Sequence, residues 1–232
     1  MLGPYQYTVW LICTLLEVAV LVCAFKKNAL RRYLVLNIYM AASVVVSIGR
    51  FNILRHSGYD SREYLYFYYY SDFLLTILLF FALTSLYSHI FAELEVGRYV
   101  RTGALVLLSG TALFSYGVVH QSATRLVTHF VVEISQNLYF VGLVLTYVLW
   151  AAVLKLRETR TRLIQLILST GLYFSMFAAN YALQNLYQSR APIFEYLPQL
   201  IGCFLPLSWA YAFWRLPEDA RTVPSRLAMV PR

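Results

Sequence analysis

The chain has 232 residues, of which 60% are hydrophobic and only 13% charged, and its mean hydropathy is +0.60. A soluble domain of this length carries roughly twice that share of charge, so a water-surrounded globule is excluded and a polytopic membrane protein is expected. The net charge of +8 does not point to nucleic acid, because the basic residues stand in short clusters between apolar runs, where the positive-inside rule and anionic lipid account for them.

Seven apolar runs follow in order, at residues 5–25, 33–54, 66–91, 100–119, 126–150, 163–187 and 193–214. Each is long enough to cross about 30 Å of hydrocarbon as a helix. The first has no basic segment before it and no small-residue cleavage site, so it is expected to be retained rather than removed as a signal. The third is introduced by a cluster of tyrosines, Tyr64, Tyr66, Tyr68, Tyr69 and Tyr70, which reads as an interfacial aromatic belt. The expected fold is all-α, a bundle of seven transmembrane helices over residues 1–214, followed by a short basic tail at 215–232. Short connections predict that consecutive helices are antiparallel neighbours.

Orientation follows from the arginines and lysines. With the N-terminus outside, fourteen of the nineteen basic residues fall in cytoplasmic segments; Arg55, Arg62, Arg125 and Arg190 are outside and Arg50 lies within a span. That bias predicts N-out, C-in. The expected localisation is a bacterial inner membrane, and the bilayer is the first partner.

Polar residues inside the runs mark function by default, because lipid tolerates them only when they pair or line a cavity. Arg50 and Asn52 lie near the outer end of the second helix, and Asp72 and Thr76 in the outer half of the third. The fifth carries Glu133, Gln136 and Asn137, which share a face. The sixth carries Asn180, Gln184 and Asn185, and the seventh Glu195 and Gln199. The inner half holds fewer such groups, chiefly Asn37, His89 and Gln165. The pattern predicts an outward-facing polar pocket for a small molecule or cation, with Arg50, Asp72 and Glu133 as its charged members. One guanidinium against two carboxylates leaves one acid to be protonated, hydrated or cation-bound. Glu17, in the middle of the first helix, is expected to be a neutral carboxyl bonded to a neighbouring helix, or a proton relay.

The chemistry of known enzyme motifs is absent from the sequence. His56, His89, His120 and His129 show no helical zinc spacing, and there is no nucleophile elbow, Walker loop or dinucleotide fingerprint. No catalytic residue, cofactor or metal is expected. Cys13, Cys23 and Cys203 are odd in number and sit within apolar runs, so they are expected to be free core residues.

The stretch Tyr70-Ser71-Asp72-Phe73-Leu74-Leu75-Thr76 resembles the third helix of microbial rhodopsins, where an aspartate counterion is followed one turn later by threonine. Those proteins hold retinal through a lysine in the last helix; the seventh run here contains none, so the resemblance implies no photochemistry. The tyrosine-rich start of the third helix, the short loops and the seven spans also resemble uncharacterised bacterial seven-helix membrane proteins, some similar to sensor modules of histidine kinases. That resemblance implies sensing, with any output passed to a cytoplasmic or membrane protein partner at the basic face. The expected function is therefore a receptor or sensor-like module. The alternatives are a small transporter or proton-coupled carrier using Asp72, Glu133 and Glu17, and a structural or assembly subunit.

Overall fold

The computed structural model describes residues 4–58, 61–91, 97–120, 126–156, 158–187 and 193–218, excepting the side chains at 4–6, 97–98, 101, 120, 126–129, 185, 187 and 193–196. Asn185, Glu195, His120, His129, Arg98, Arg101, Arg125, Arg157, Arg190 and the tail beyond 218 thus fall outside the described side chains. Seven helices account for nearly everything described: α1 Pro4–Lys26, α2 Leu34–Ser57, α3 Arg62–Ile90, α4 Gly97–His120, α5 Leu126–Lys155, α6 Thr161–Tyr187 and α7 Ile193–Arg215. Six of them, α1 to α6, are long and apolar enough to cross a membrane. α7 carries Pro198 and Pro206 within its length and is not among those six.

Local chemistry sets the ends. Asn28 takes a left-handed conformation (φ 52°) in the turn after α1, and Gly58 (φ 82°) ends α2. Ser61 caps α3, its hydroxyl accepting from the Tyr64 amide at 3.1 Å, which satisfies one of the donors a helix start leaves bare. Basic groups occupy the last turns of α1, α2, α3, α5 and α7, where the helix dipole favours them.

The helices form a ring in the order α1, α2, α3, α5, α6, α7 and back to α1, and α4 stands outside it against α5 and α3. Sequence adjacency pointed to α4 as the neighbour of α3, but α3 packs far more extensively on α5. α1, α3, α5 and α7 begin at one end of the bundle, the upper end below. The closure between α1 and α7 is covalent: Cys13 and Cys203 form a disulfide with their Cα atoms 4.9 Å apart. This corrects the expectation of three free cysteines; Cys23 alone among them is free and is buried. Cysteine count and spacing gave no sign of the pairing, because it depends on α1 and α7 running side by side.

The surface is lined with large apolar side chains, such as Leu15, Val45, Leu113 and Leu154, while polar residues point inward. That inversion is the pattern of a chain solvated by lipid. The core below the middle of the bundle is apolar and close-packed, with Leu36, Leu83, Leu86, Leu149, Leu166, Trp209 and Phe213 fully buried. α5 and α6 approach closely through two glycines: the Phe174 ring lies over Gly142 and the Thr146 methyl over Gly171.

The lower end is closed by an ionic clasp. Arg162, 3% exposed, donates from Nε and Nη2 to the Leu216 carbonyl at 2.9 and 2.5 Å and from Nη1 to Glu218 at 2.5 Å. It thereby satisfies a carbonyl at the end of α7. Glu218 also pairs with Arg32 at 3.2 Å and accepts from the Tyr33 hydroxyl at 3.3 Å. Tyr33 stacks on His89, whose ring nitrogens lie 2.7 and 2.8 Å from the Ser85 and Arg32 carbonyls. Arg160 ties the start of α6 to the His89 carbonyl at 3.0 Å and pairs with Glu158 at 2.6 Å.

Candidate functional site

The polar groups of the upper half fall into two clusters rather than one. The first is centred on Arg50. Its Nε donates to Ser71 Oγ at 2.9 Å, its Nη2 donates to the Tyr68 carbonyl at 3.2 Å, and the same nitrogen is 3.8 Å from Asp72 Oδ1. The guanidinium also lies 4.3 Å over the Tyr68 ring, a favourable cation–π geometry. Ser71 donates in turn to the Tyr68 carbonyl at 3.0 Å, so one hydroxyl fixes both the backbone and the arginine. The Arg50 and Asp72 side chains are 22% and 29% exposed and open toward the upper end. Thr76, one turn below, is buried and returns its hydroxyl to the Asp72 carbonyl at 2.9 Å.

Beneath Asp72 lies a cluster of buried aromatics. Tyr139 stacks on Phe177 at 4.8 Å, Tyr173 meets Phe177 at 4.8 Å, and Tyr181 is 5.6 Å from Tyr139. Tyr39 packs edge-on against Trp209. Tyr39, Tyr139 and Tyr173 are each 6% exposed or less. An interfacial belt does not describe them; they fill the interior at the level where the ring is most polar.

The second carboxylate in the field of Arg50 is Glu17, not Glu133. Glu17, on α1, is 8% exposed and accepts from Ser43 Oγ at 2.5 Å. The Arg50 guanidinium is the cation acting on it electrostatically, and Ser47 also faces the carboxyl. Glu133 instead accepts from Asn137 Nδ2 at 3.3 Å, and the same Asn137 amide reaches Ser115 Oγ on α4 at 3.0 Å. This corrects the expected grouping. Each helical residue advances about 100° around the axis. Tyr139 faces the ring interior, so Asn137 and Glu133 are turned toward the opposite side, where α4 lies. Gln136 is half-buried between those two faces.

The remaining predicted residues surround the first cluster without binding to it. Asn180 on α6 is 2% exposed, and its Oδ1 has no hydrogen-bond partner among the described residues. Gln199 Oε1 on α7 is likewise buried and unpartnered, and the Gln199 carbonyl lies 3.9 Å from Cys13 Sγ. Gln184 is half-buried and Asn52 exposed. Asn52, with Ile53, His56, Ser57 and Glu63, lines an open groove of about 270 Å³ at the upper end of α2 and α3. Ser71, Ser43 and the three buried tyrosines escaped the sequence reading. Their signal is position: Tyr39, Tyr139 and Tyr173 lie inside apolar runs rather than at their ends.

No group of three or more His, Cys, Asp or Glu able to hold a metal occurs among the described residues. Chemically, the arrangement offers one guanidinium, two carboxylates and several acceptor oxygens that lack donors. Comparison with protein families, curated proteins and solved structures finds no match. The class therefore rests on the chain's own geometry: an all-helical protein whose six long apolar helices are those of a multi-pass membrane protein.

Proposed function

We propose that the chain is a seven-span protein of a bacterial inner membrane, N-terminus outside and C-terminus in the cytoplasm. In this reading it is a non-enzymatic receptor or sensor-like module that binds a small ligand or cation in its upper, outward-facing half. α7 counts as the seventh span because it lies in the ring between α1 and α6 and is joined to α1 by the disulfide.

The observation that carries the ligand reading is a shortage of donors. In the upper half Glu17 Oε2, Asn180 Oδ1 and Gln199 Oε1 are buried acceptors without partners among the described residues, on α1, α6 and the α7 that lies between them in the ring. A buried acceptor left unsatisfied costs about 1–3 kcal/mol, so three of them favour an occupant that brings donors or positive charge. Arg50 and Asp72 stand at the opening as the groups such an occupant meets first. Its charge would redistribute the Arg50 contacts among Asp72, Ser71 and Tyr68 and so bias the packing of α2 on α3.

The test is thermal unfolding of the purified protein in detergent against a panel of small cations, amines and metabolites, with Asp72→Asn and Glu133→Gln alongside. A stabilising compound whose effect is lost in Asp72→Asn and kept in Glu133→Gln supports the reading. If no compound stabilises the wild type, or if both variants lose the effect equally, the upper cluster is internal cross-linking between helices and the receptor reading fails.

A further inference from the structure

We propose that Glu17 is a binding site for one monovalent positive charge, a proton or an alkali cation, held between α1 and α2 and reached from the upper end of the bundle. This deepens the ligand reading and rests on it, since Glu17 Oε2 is one of the three acceptors that carry that reading.

The argument begins with charge. Glu17 lies in the middle of a 23-residue helix and is 8% exposed. One carboxyl oxygen accepts from Ser43 at 2.5 Å; the other, Oε2, is buried and makes no hydrogen bond among the described residues, although Ser47 faces the carboxyl. Arg50 acts on Glu17 only through space, because its hydrogen bonds go to Ser71 and Tyr68 and its ion pair to Asp72, all on α3. Arg50 and Asp72 therefore neutralise one another, and no basic side chain among the described residues pairs with Glu17. A bare carboxylate in a low-dielectric interior costs far more than one hydroxyl hydrogen bond returns. The site is complete only when a positive charge sits on Oε2.

Access is one-sided. Ser43, Ser47 and Arg50 follow one another at four- and three-residue spacing and so share a face of α2. Trp10 covers that stripe from α1, its Nε1 donating to the Ser47 carbonyl at 3.3 Å. The stripe leads from Glu17 to the partly exposed pair Arg50–Asp72. Toward the lower end the path closes: Val20, Ala24, Leu36 and Met40 are 0–1% exposed. Below them on α2 the Asn37 amide donates to the Tyr33 carbonyl at 2.8 Å, and on α5 and α6 the hydroxyls are used within their own helices, Thr146 on the Gly142 carbonyl, Ser169 on Gln165 and Thr170 on Leu166. A charge that enters from above meets Glu17 and goes no further.

The test is the unfolding midpoint of the full chain, measured at fixed salt against pH above the range in which Glu158 titrates, and at fixed pH against sodium, with choline as the substitute. Wild type and Glu133→Gln, whose carboxyl lies with Asn137 away from Arg50, are expected to respond to one of the two; Glu17→Gln, which is neutral and nearly isosteric, is expected to lose that response. Labelling with a hydrophobic carbodiimide separates the sources, because the reagent needs a protonated carboxyl. Labelling of Glu17 that sodium leaves unchanged identifies a proton, and labelling that sodium suppresses identifies the alkali cation. A wild type that responds to neither overturns the proposal. So does a Glu17→Gln protein that keeps the response, or a Glu133→Gln protein that loses it. Should Glu17→Gln not fold, Ser43→Ala keeps the acid but removes its partner; a pH or sodium response unchanged by that substitution refutes the site.

Discussion

The close approach of α5 and α6 makes the most severe prediction. A Cβ added at Gly142 would stand 2.3, 2.5 and 2.7 Å from three atoms of the Phe174 ring, where carbon atoms rest at about 3.5–4.0 Å. Phe174 cannot yield, since it is fully buried and lies edge-on to Tyr139. Relief must come from separating the helices by about 1 Å. Overpacking of this kind costs about 1–3 kcal/mol, and the number of clashing ring atoms puts Gly142→Ala at the upper end. At Gly171 the clash is with one atom, Thr146 Cγ2, at 2.3 Å. Rotating Thr146 relieves it but gives up the bond from its hydroxyl to the Gly142 carbonyl at 2.7 Å, worth about 1 kcal/mol. Gly171→Ala should therefore be the milder of the two. Gly103, Gly110 and Gly117 on α4 have nothing within 4 Å of such a Cβ, so alanine there should be neutral or slightly stabilising through helix propensity. Thermal unfolding in detergent ranks all five. At about 2–4 °C per kcal/mol for a chain of this size, Gly142→Ala should lower the midpoint by roughly 5–10 °C. A Gly142→Ala protein as stable as Gly110→Ala refutes the packing of α5 on α6.

At the lower clasp, Arg162→Ala should lower stability by about 2–3 kcal/mol in the same assay. The buried guanidinium leaves the Leu216 carbonyl bare, while Glu218 keeps Arg32 and Tyr33. Arg32→Ala, at a side chain 47% exposed, should cost less than about 1 kcal/mol. The connection between α5 and α6 carries a pH dependence: the Arg160 guanidinium beside Glu158 holds its carboxyl below the ordinary value of 4.5. A depressed acid stabilises the fold above its unfolded value and loses that contribution as pH falls through the folded one. Unfolding followed below about pH 4.5 should thus show a loss that Glu158→Gln removes. For the cysteines, alkylation of the denatured, unreduced protein followed by intact mass should mark one thiol, Cys23, and three after reduction; three before reduction would remove the covalent closure of α1 on α7.

The helices were legible because an apolar run of membrane-spanning length has few other fates. Depth in the membrane grouped Arg50 with Asp72 and Glu133 without showing which acid the guanidinium reaches; α2 and α3, joined by a short turn, bring it 3.8 Å from Asp72. That reasoning fails for Glu133. Depth along the membrane places it level with Arg50, but the angle around the helix axis decides what a side chain touches, and α4 had first been assigned beside α3. Once α4 lies outside the ring, the Glu133–Asn137 face belongs to it. Glu17 was set aside for the converse reason. It lies deeper than the other polar groups, and nothing in the sequence around Leu15, Leu16 and Val18 shows that Ser43 stands opposite. The belt reading covered Tyr64 to Tyr70 only; Tyr39, Tyr139 and Tyr173, packed in the interior, drew none, because an apolar run does not show which of its faces turns inward.

The two halves of the bundle also differ in how they satisfy their polar atoms, and this difference bears on carriage versus sensing. In the lower half, serine and threonine hydroxyls bond within their own helix, which holds them regardless of how the helices move. In the upper half Thr76 and Ser135 do the same, but other bonds cross between helices: Ser43 to Glu17, Arg50 to Ser71, Asn137 to Ser115. Bonds of the second kind change whenever a charge is added or removed nearby, so the upper half responds to what binds there. The lower half, packed with leucine and locked by Arg162 and Glu218, holds one buried acceptor without a partner among the described residues, Asn37 Oδ1, against three in the upper half. A carrier needs both halves to exchange roles across the membrane. In this chain the two halves are tied by different chemistry, hydrogen bonds between helices above and the Arg162–Glu218 ion pair below.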